Sequence, residues 1–262
     1  MREWNGDEVV GLGVGDVDIR NAEKVSEVIE KTRPEWVVLA AAYTDVDGCE
    51  SNQELAFSVN RDGAVQVARA AKNADAKLLF LSSDYVFDGK NPLPYEIGDA
   101  RNPQSVYGQS KAEAEIQLLE VIPTCCIVRT AWLFGIGGKC FPDTILKLAA
   151  TRPALDVVSD QRGCPTYSVD LARAIIQLCR KSANGIVHVT NGGDCSWFEF
   201  AREIVRRAGF STEVRPVSTQ QMVRPAPRPA YSVMSAKSLA NYGIVMPTWQ
   251  DALARYLQAR RG

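Results

Sequence analysis

The chain has 262 residues, 46% hydrophobic and 23% charged, enough for a sizeable core in one large domain or two unequal ones. A net charge of −1 carries no global basic field, which argues against nucleic acid or an anionic membrane as the main partner. Seven scattered cysteines without a Cys-x-x-Cys pair fit reduced thiols in the cytoplasm better than a disulfide framework or zinc site, no run reaches transmembrane length, and residues 1–10 are too polar for a signal peptide.

Apolar runs alternate with amphipathic stretches, the pattern of a parallel α/β sheet. Residues 9–13 predict a strand, 21–31 a helix, 36–41 a second strand, 52–72 a helix and 77–81 a third strand. A helix over about 104–119 carries Tyr107 and Lys111 in its first two turns, and 126–130 is a fourth strand. Beyond Gly135, glycines and the separated prolines Pro142, Pro153 and Pro165 interrupt the periodicity. The expected organisation is therefore an incomplete dinucleotide-binding domain at 1–134, then a mixed region at 135–262 with a substrate-binding part. Within the latter, 168–181 returns to a helix and 186–189 to a strand, so the chain re-enters the sheet. Ser196 and Glu199 have capping-box spacing at the start of a helix over 196–209.

The most informative motif is Tyr107-Gly108-Gln109-Ser110-Lys111, preceded by a strand that delivers Ser82-Ser83-Asp84-Tyr85-Val86-Phe87-Asp88-Gly89. Residues four apart share a helix face, so the Tyr107 phenol and Lys111 ammonium address one spot beside a sheet edge. A neighbouring cation favours the phenolate and eases proton transfer to a reduced carbonyl oxygen, which Ser83 is placed to hold. With 8 tyrosines in the chain, a Tyr-x-x-x-Lys spacing arises by chance roughly a third of the time, so the context carries the reading.

A dinucleotide site normally opens with a strand and a glycine-rich turn into a helix N-terminus. Gly11-Leu12-Gly13-Val14-Gly15 has the wrong spacing, with Asp16 where the third glycine is due, and Asp18-Ile19-Arg20-Asn21 reads as the loop after a second strand. The expectation is a Rossmann-like parallel sheet lacking its first strand and glycine-rich loop. His188, the only histidine, lies in an apolar strand and reads as structural, so no metal site is expected.

Several further segments occur in an order that resembles the dTDP-4-dehydrorhamnose reductase family of extended short-chain dehydrogenases. They are 40–47, 82–89, 107–111, Arg129-Thr130-Ala131-Trp132, 160–166, 196–201 and Arg228-Pro229-Ala230-Tyr231-Ser232. Departures are small: Ser83 stands where the family often has Thr, and Leu39 and Cys140 where it often has Asn. The family's first strand would precede Met1, so the chain is expected to be an N-terminally truncated member. The resemblance implies reduction of the C4 keto group of dTDP-4-dehydro-L-rhamnose to dTDP-L-rhamnose with NADPH, NADH being the alternative. Tyr107 would donate the proton, Lys111 would hold the nicotinamide ribose and lower the Tyr107 pKa, and Ser83 would bond the carbonyl. Asp18 and Ile19 would lie near the cofactor's adenosine end and Ala42, Tyr43 and Thr44 along its middle; Val46, Asp84, Tyr85 and Trp132 would line the sugar pocket. Arg228 has donors suited to a phosphate, but an arginine beside proline is more commonly a surface residue, and it is left out of the site. The expected partner is the nucleotide sugar, with a homodimer left open. Competing readings are a non-catalytic NADP-binding regulatory subunit on the same fold, or an inactive fragment.

Overall fold

The computed structural model describes residues 6–260. In chain order, the first helices and strands are α1 (Ala22–Thr32), β1 (Trp36–Leu39), α2 (Val46–Ser51), α3 (Gln53–Phe57), α4 (Ala64–Asn73), β2 (Lys77–Ser83), α5 (Val106–Val121) and β3 (Cys126–Thr130). Then come β4 (Leu133–Phe134), α6 (Phe141–Ala149), β5 (Ala154–Val158), β6 (Arg162–Gly163), β7 (Thr166–Tyr167), α7 (Ser168–Arg180) and β8 (Gly185–His188). The last are β9 (Cys195–Ser196), α8 (Trp197–Ala208), β10 (Glu213–Val217), α9 (Lys237–Ala240) and α10 (Trp249–Ala259).

The central sheet has the order β1-β2-β3-β8 and is parallel throughout. Its inner strands β2 and β3 are covered on both faces, as a parallel sheet requires, while Val38 of the edge strand β1 is exposed. Alternation along β2 sorts the side chains: Leu78 and Phe80 join the core formed with Val25, Val67, Ala71, Ala114 and Leu118, while Leu79 joins Leu171, Ile175 and Leu178 on the other face. The carboxyl ends Leu39, Ser83, Thr130 and His188 lie along one edge, where open α/β sheets bind ligands.

A separate apolar cluster is built from α6, β5, α8 and α10 around Phe134, Phe200, Trp249 and Tyr256. Residues after 135 thus serve both bodies, since α7 and β8 belong to the sheet.

Two predicted elements differ from those observed. Residues 9–13 form no strand: among the described residues nothing pairs with them, Val10 and Leu12 are exposed, and the stretch ends in a turn closed by Asp16 Oδ2 accepting from Gly13 N at 2.8 Å. The single helix expected over 52–72 is α3 and α4 joined by a π-helical segment, Ser58–Gly63. Its wider turn is not encoded in apolar periodicity, and such segments concentrate at functional sites. The unit expected ahead of Met1 lies outside the described residues.

Candidate active site

The carboxyl end of β2 and the first turns of α5 meet to form the site. Ser105 caps α5 by accepting from Gly108 N at 3.2 Å, which aims the opening turn at the end of β2. Gly108 has no room for a side chain against the Tyr85 carbonyl, so the helix sits close to the segment it faces. Tyr107 is half-buried and packs edge-on against Tyr85, ring centroids 5.6 Å apart. The Ser83 hydroxyl shares a hydrogen bond with the Tyr107 phenol, donates to Asp84 Oδ1 at 2.9 Å and accepts from Tyr85 N at 3.2 Å.

Lys111 follows one turn after Tyr107. Only 2% exposed, its Nζ rests 3.9 Å over the Phe80 ring. Burial pushes its pKa down to about 7, against the opposing field of Glu115. The expected lowering of the Tyr107 pKa by Lys111 is not what this geometry produces. Burial raises the phenol to about 12, and Ser83 is the group that counters it. The phenol is therefore protonated at neutral pH.

Asp84, 1% exposed, is pushed up to about 6 by burial, with the Ser232 and Ser83 hydroxyls holding it down. Val46 opens α2 and is half-buried; Tyr85 is likewise half-buried. Trp132 follows β3 with a left-handed backbone, φ 44°, and stacks on Trp197 at a centroid distance of 3.5 Å and 6° between planes. A side chain on Gly163 would lie 2.5 Å from the indole, so glycine there is what admits the ring.

Ala42, Tyr43 and Thr44 form the loop after β1. Asn60, buried within the π-helical segment, accepts from Tyr43 N at 2.7 Å and donates to Tyr43 O at 3.1 Å and to Ser110 Oγ at 3.0 Å. Ser110 in turn donates to the Tyr107 carbonyl at 2.8 Å, so this asparagine ties the loop to the Tyr107 helix. Asp18 lines an open cleft of about 630 Å³ with Arg20, Asn21, Ala22, Glu23 and Ser58. Hydrogen bonding from Arg20 holds the Asp18 carboxyl down to about 2. Ile19 instead packs on Gly63, where a Cβ would lie 2.8 Å from it. The buried Lys111 near the strand ends and the open Asp18 cleft are chemically compatible with the two ends of a nicotinamide dinucleotide.

Sequence reasoning missed Asn60, Ser110, Glu115 and Arg129. Glu115 Oε1 accepts from Ser82 at 2.6 Å and Arg129 Nε at 2.9 Å; Oε2 accepts from Arg129 and Arg101, both at 2.6 Å. Tyr107, Lys111 and Glu115 are spaced by four, so the third position was within reach of the argument that found the first two. No comparable signal marks Asn60. Among the described residues, no group of three His, Cys, Asp or Glu side chains is placed to hold a metal, and no helix is long and apolar enough to cross a membrane.

The family model for the RmlD substrate binding domain matches residues 2–261. A dTDP-4-dehydrorhamnose reductase of Mycobacterium tuberculosis is 40% identical over 97% of this chain and 86% of its own length. The spore coat polysaccharide biosynthesis protein SpsK of Bacillus subtilis is 40% identical over 97% of this chain and 90% of its own. The crystal structure of dTDP-4-dehydrorhamnose reductase from Bacillus anthracis in complex with NADP matches at a TM-score of 0.94 and 38% identity, covering 96% of this chain and 90% of that one. With the fold, the Tyr107–Lys111 helix and these relatives in agreement, the chain belongs to the RmlD, or dTDP-4-dehydrorhamnose reductase, family of NAD(P)H-dependent dTDP-sugar reductases.

Proposed function

We propose that the protein reduces the C4 ketone of dTDP-4-dehydro-L-rhamnose to the alcohol of dTDP-L-rhamnose, using NADPH. The observation that carries this reading is the Tyr107 phenol hydrogen-bonded to Ser83, with the buried Lys111 one turn away. The sugar is taken from what the M. tuberculosis relative is named for, and the cofactor from the NADP of the B. anthracis complex.

When bound, the nicotinamide supplies the hydride to C4. Tyr107 gives its proton to the C4 oxygen, and Ser83 holds that oxygen in place. Lys111 holds the nicotinamide ribose and, when charged, favours the phenolate that Tyr107 leaves behind. Asp18 and Ile19 serve the adenosine end, and Ala42, Tyr43 and Thr44 the middle of the cofactor. Val46, Asp84, Tyr85 and Trp132 line the sugar pocket, where the flat indole suits the apolar face of a deoxysugar. Retention of Ser83, Tyr107 and Lys111 together favours an enzyme over a regulatory subunit.

The test follows NADPH oxidation with dTDP-4-dehydro-L-rhamnose, beside other dTDP-4-keto sugars and beside NADH. Tyr107→Phe is expected to lower turnover roughly 10²- to 10⁴-fold, the usual worth of a positioned general acid, with NADPH binding little changed. Undiminished turnover in that variant would remove Tyr107 from the mechanism.

A further inference from the structure

The segment 222–230 reads Met-Val-Arg-Pro-Ala-Pro-Arg-Pro-Ala, and its three prolines restrict the backbone. It is pinned at two points beside the sugar pocket. At one, Tyr231 N donates to Gly89 O at 3.2 Å, and Gly89, at φ 77°, lies so close that a Cβ would be 2.6 Å from Pro229. At the other, Asp47 at the start of α2 accepts from Ala226 N at 3.2 Å and pairs with Arg228 at 3.0 Å and Arg224 at 3.7 Å.

Asp47 balances one of these two guanidiniums, so the cluster keeps a net positive charge. The Arg228 guanidinium carbon lies 5.9 Å from the Tyr85 ring centroid, and the same ring meets Tyr107 at 5.6 Å. A cation is thus held one aromatic ring away from the phenol. Arg228 NH1 also donates to Ala226 O at 3.1 Å, which orients the guanidinium fork and leaves further N–H donors for a ligand.

We propose that Arg224 and Arg228, steered by Asp47, form the site for the diphosphate of the nucleotide-sugar substrate. This rests on the nucleotide-sugar reading above. The spacing suits it: a sugar ring with its C4 at Tyr107 carries its diphosphate away from the phenol by about the width of one ring. The dinucleotide's own diphosphate is the competing occupant, and the position of Arg228 over Tyr85 assigns the cations to the substrate.

The test is calorimetric titration of the whole chain with dTDP, thymidine and NADPH. Arg228→Met is expected to weaken dTDP binding roughly 10- to 100-fold, the worth of a charge-assisted hydrogen bond, and the more exposed Arg224→Met by a smaller factor of about 3 to 10. Thymidine, which lacks the phosphates, and NADPH should bind all three proteins alike. Asp47→Asn keeps an acceptor for Ala226 N but removes the competing charge, and should tighten dTDP binding several-fold. A merely structural loop anchor predicts the reverse, so weaker dTDP binding in Asp47→Asn overturns the proposal. Equal dTDP affinity in Arg228→Met, or a parallel loss for NADPH, also overturns it. Should Arg228→Met not fold, Arg228→Lys and Asp47→Asn carry the same test: the charge-retaining lysine should keep part of the dTDP affinity. A wild-type chain that binds NADPH but neither dTDP nor a dTDP sugar overturns the nucleotide-sugar reading and the proposal with it, whereas dTDP binding indifferent to these substitutions overturns the proposal alone.

Discussion

Helices α5 and α8 run 16 and 12 residues, and both pack into the protein, α5 around most of its circumference and α8 along one stripe, but the chemistry they bury is opposite. The buried set of α8 is Phe200, Ala201, Ile204 and Val205, a stripe at helical spacing with its charged residues turned outward. In contrast, α5 buries Ser110, Lys111 and Glu115 alongside Val106, Leu118 and small residues. An amphipathic helix such as α8 is stabilised by the area it removes from water. A helix such as α5 must accommodate the charges it takes inside: Ser82, Arg101 and Arg129 surround the Glu115 carboxylate, while the Lys111 ammonium rests on the Phe80 ring and its pKa falls. Each helix is therefore vulnerable in a different place: α8 in its packing and cap, α5 in its ion partners.

Removing the centre of the α5 network is the strongest way to break the contrast. Glu115→Ala leaves Arg129, which is fully buried, without its carboxylate, and should cost about 3–5 kcal/mol in urea unfolding. A loss below about 1 kcal/mol would show that the buried charges do not depend on one another in this way.

A smaller effect is expected from His188, 1% exposed beside this network on β8. Burial pushes its pKa down to about 4, with the charge of Arg129 acting in the same direction. The unfolded state therefore takes up a proton near the ordinary value of 6.5 that the native state refuses. The stability contributed is fully present above that value and is lost as pH falls toward about 4. His188→Asn should remove on the order of 2–3 kcal/mol of the difference in unfolding free energy between neutral and acid pH. An unchanged pH profile in the variant would mean that the imidazole is protonated inside the fold.

The smallest effect sharpens the other side of the comparison. Ser196 and Glu199 form a reciprocal capping box at the start of α8, at 3.1 and 2.7 Å. Ser196→Ala should cost about 1 kcal/mol in the same unfolding experiment. Turnover should be unaltered beyond what a shift of Trp197 against Trp132 transmits, and a large kinetic loss would place α8 closer to the chemistry than its packing suggests.

Much of this protein is legible in local pattern. Alternation of apolar runs predicts the four strands that make the sheet, and β3 is found where 126–130 was expected. The Asn21 cap of α1 and the box at Ser196 are local chemistry, readable because donor and acceptor lie three residues apart. Tyr107, Lys111 and Ser83 were legible for the same reason: two share a helix face, and the third ends the strand that precedes it. The apolar run at 9–13 stays out of the sheet, because a strand also needs a neighbour to pair with.

What lies far apart in the chain only folding brings together. Asn60 reaches Ser110 across 50 positions, and Asp47 meets Ala226 across 179. Neither pairing leaves a periodic trace, since a hydrogen bond between distant residues constrains no spacing between them. The protonation states follow the same division. Residue type sets the ordinary pKa of Tyr107 and Lys111, but the packing around α5 decides how much water each loses, and that loss is what moves one up and the other down.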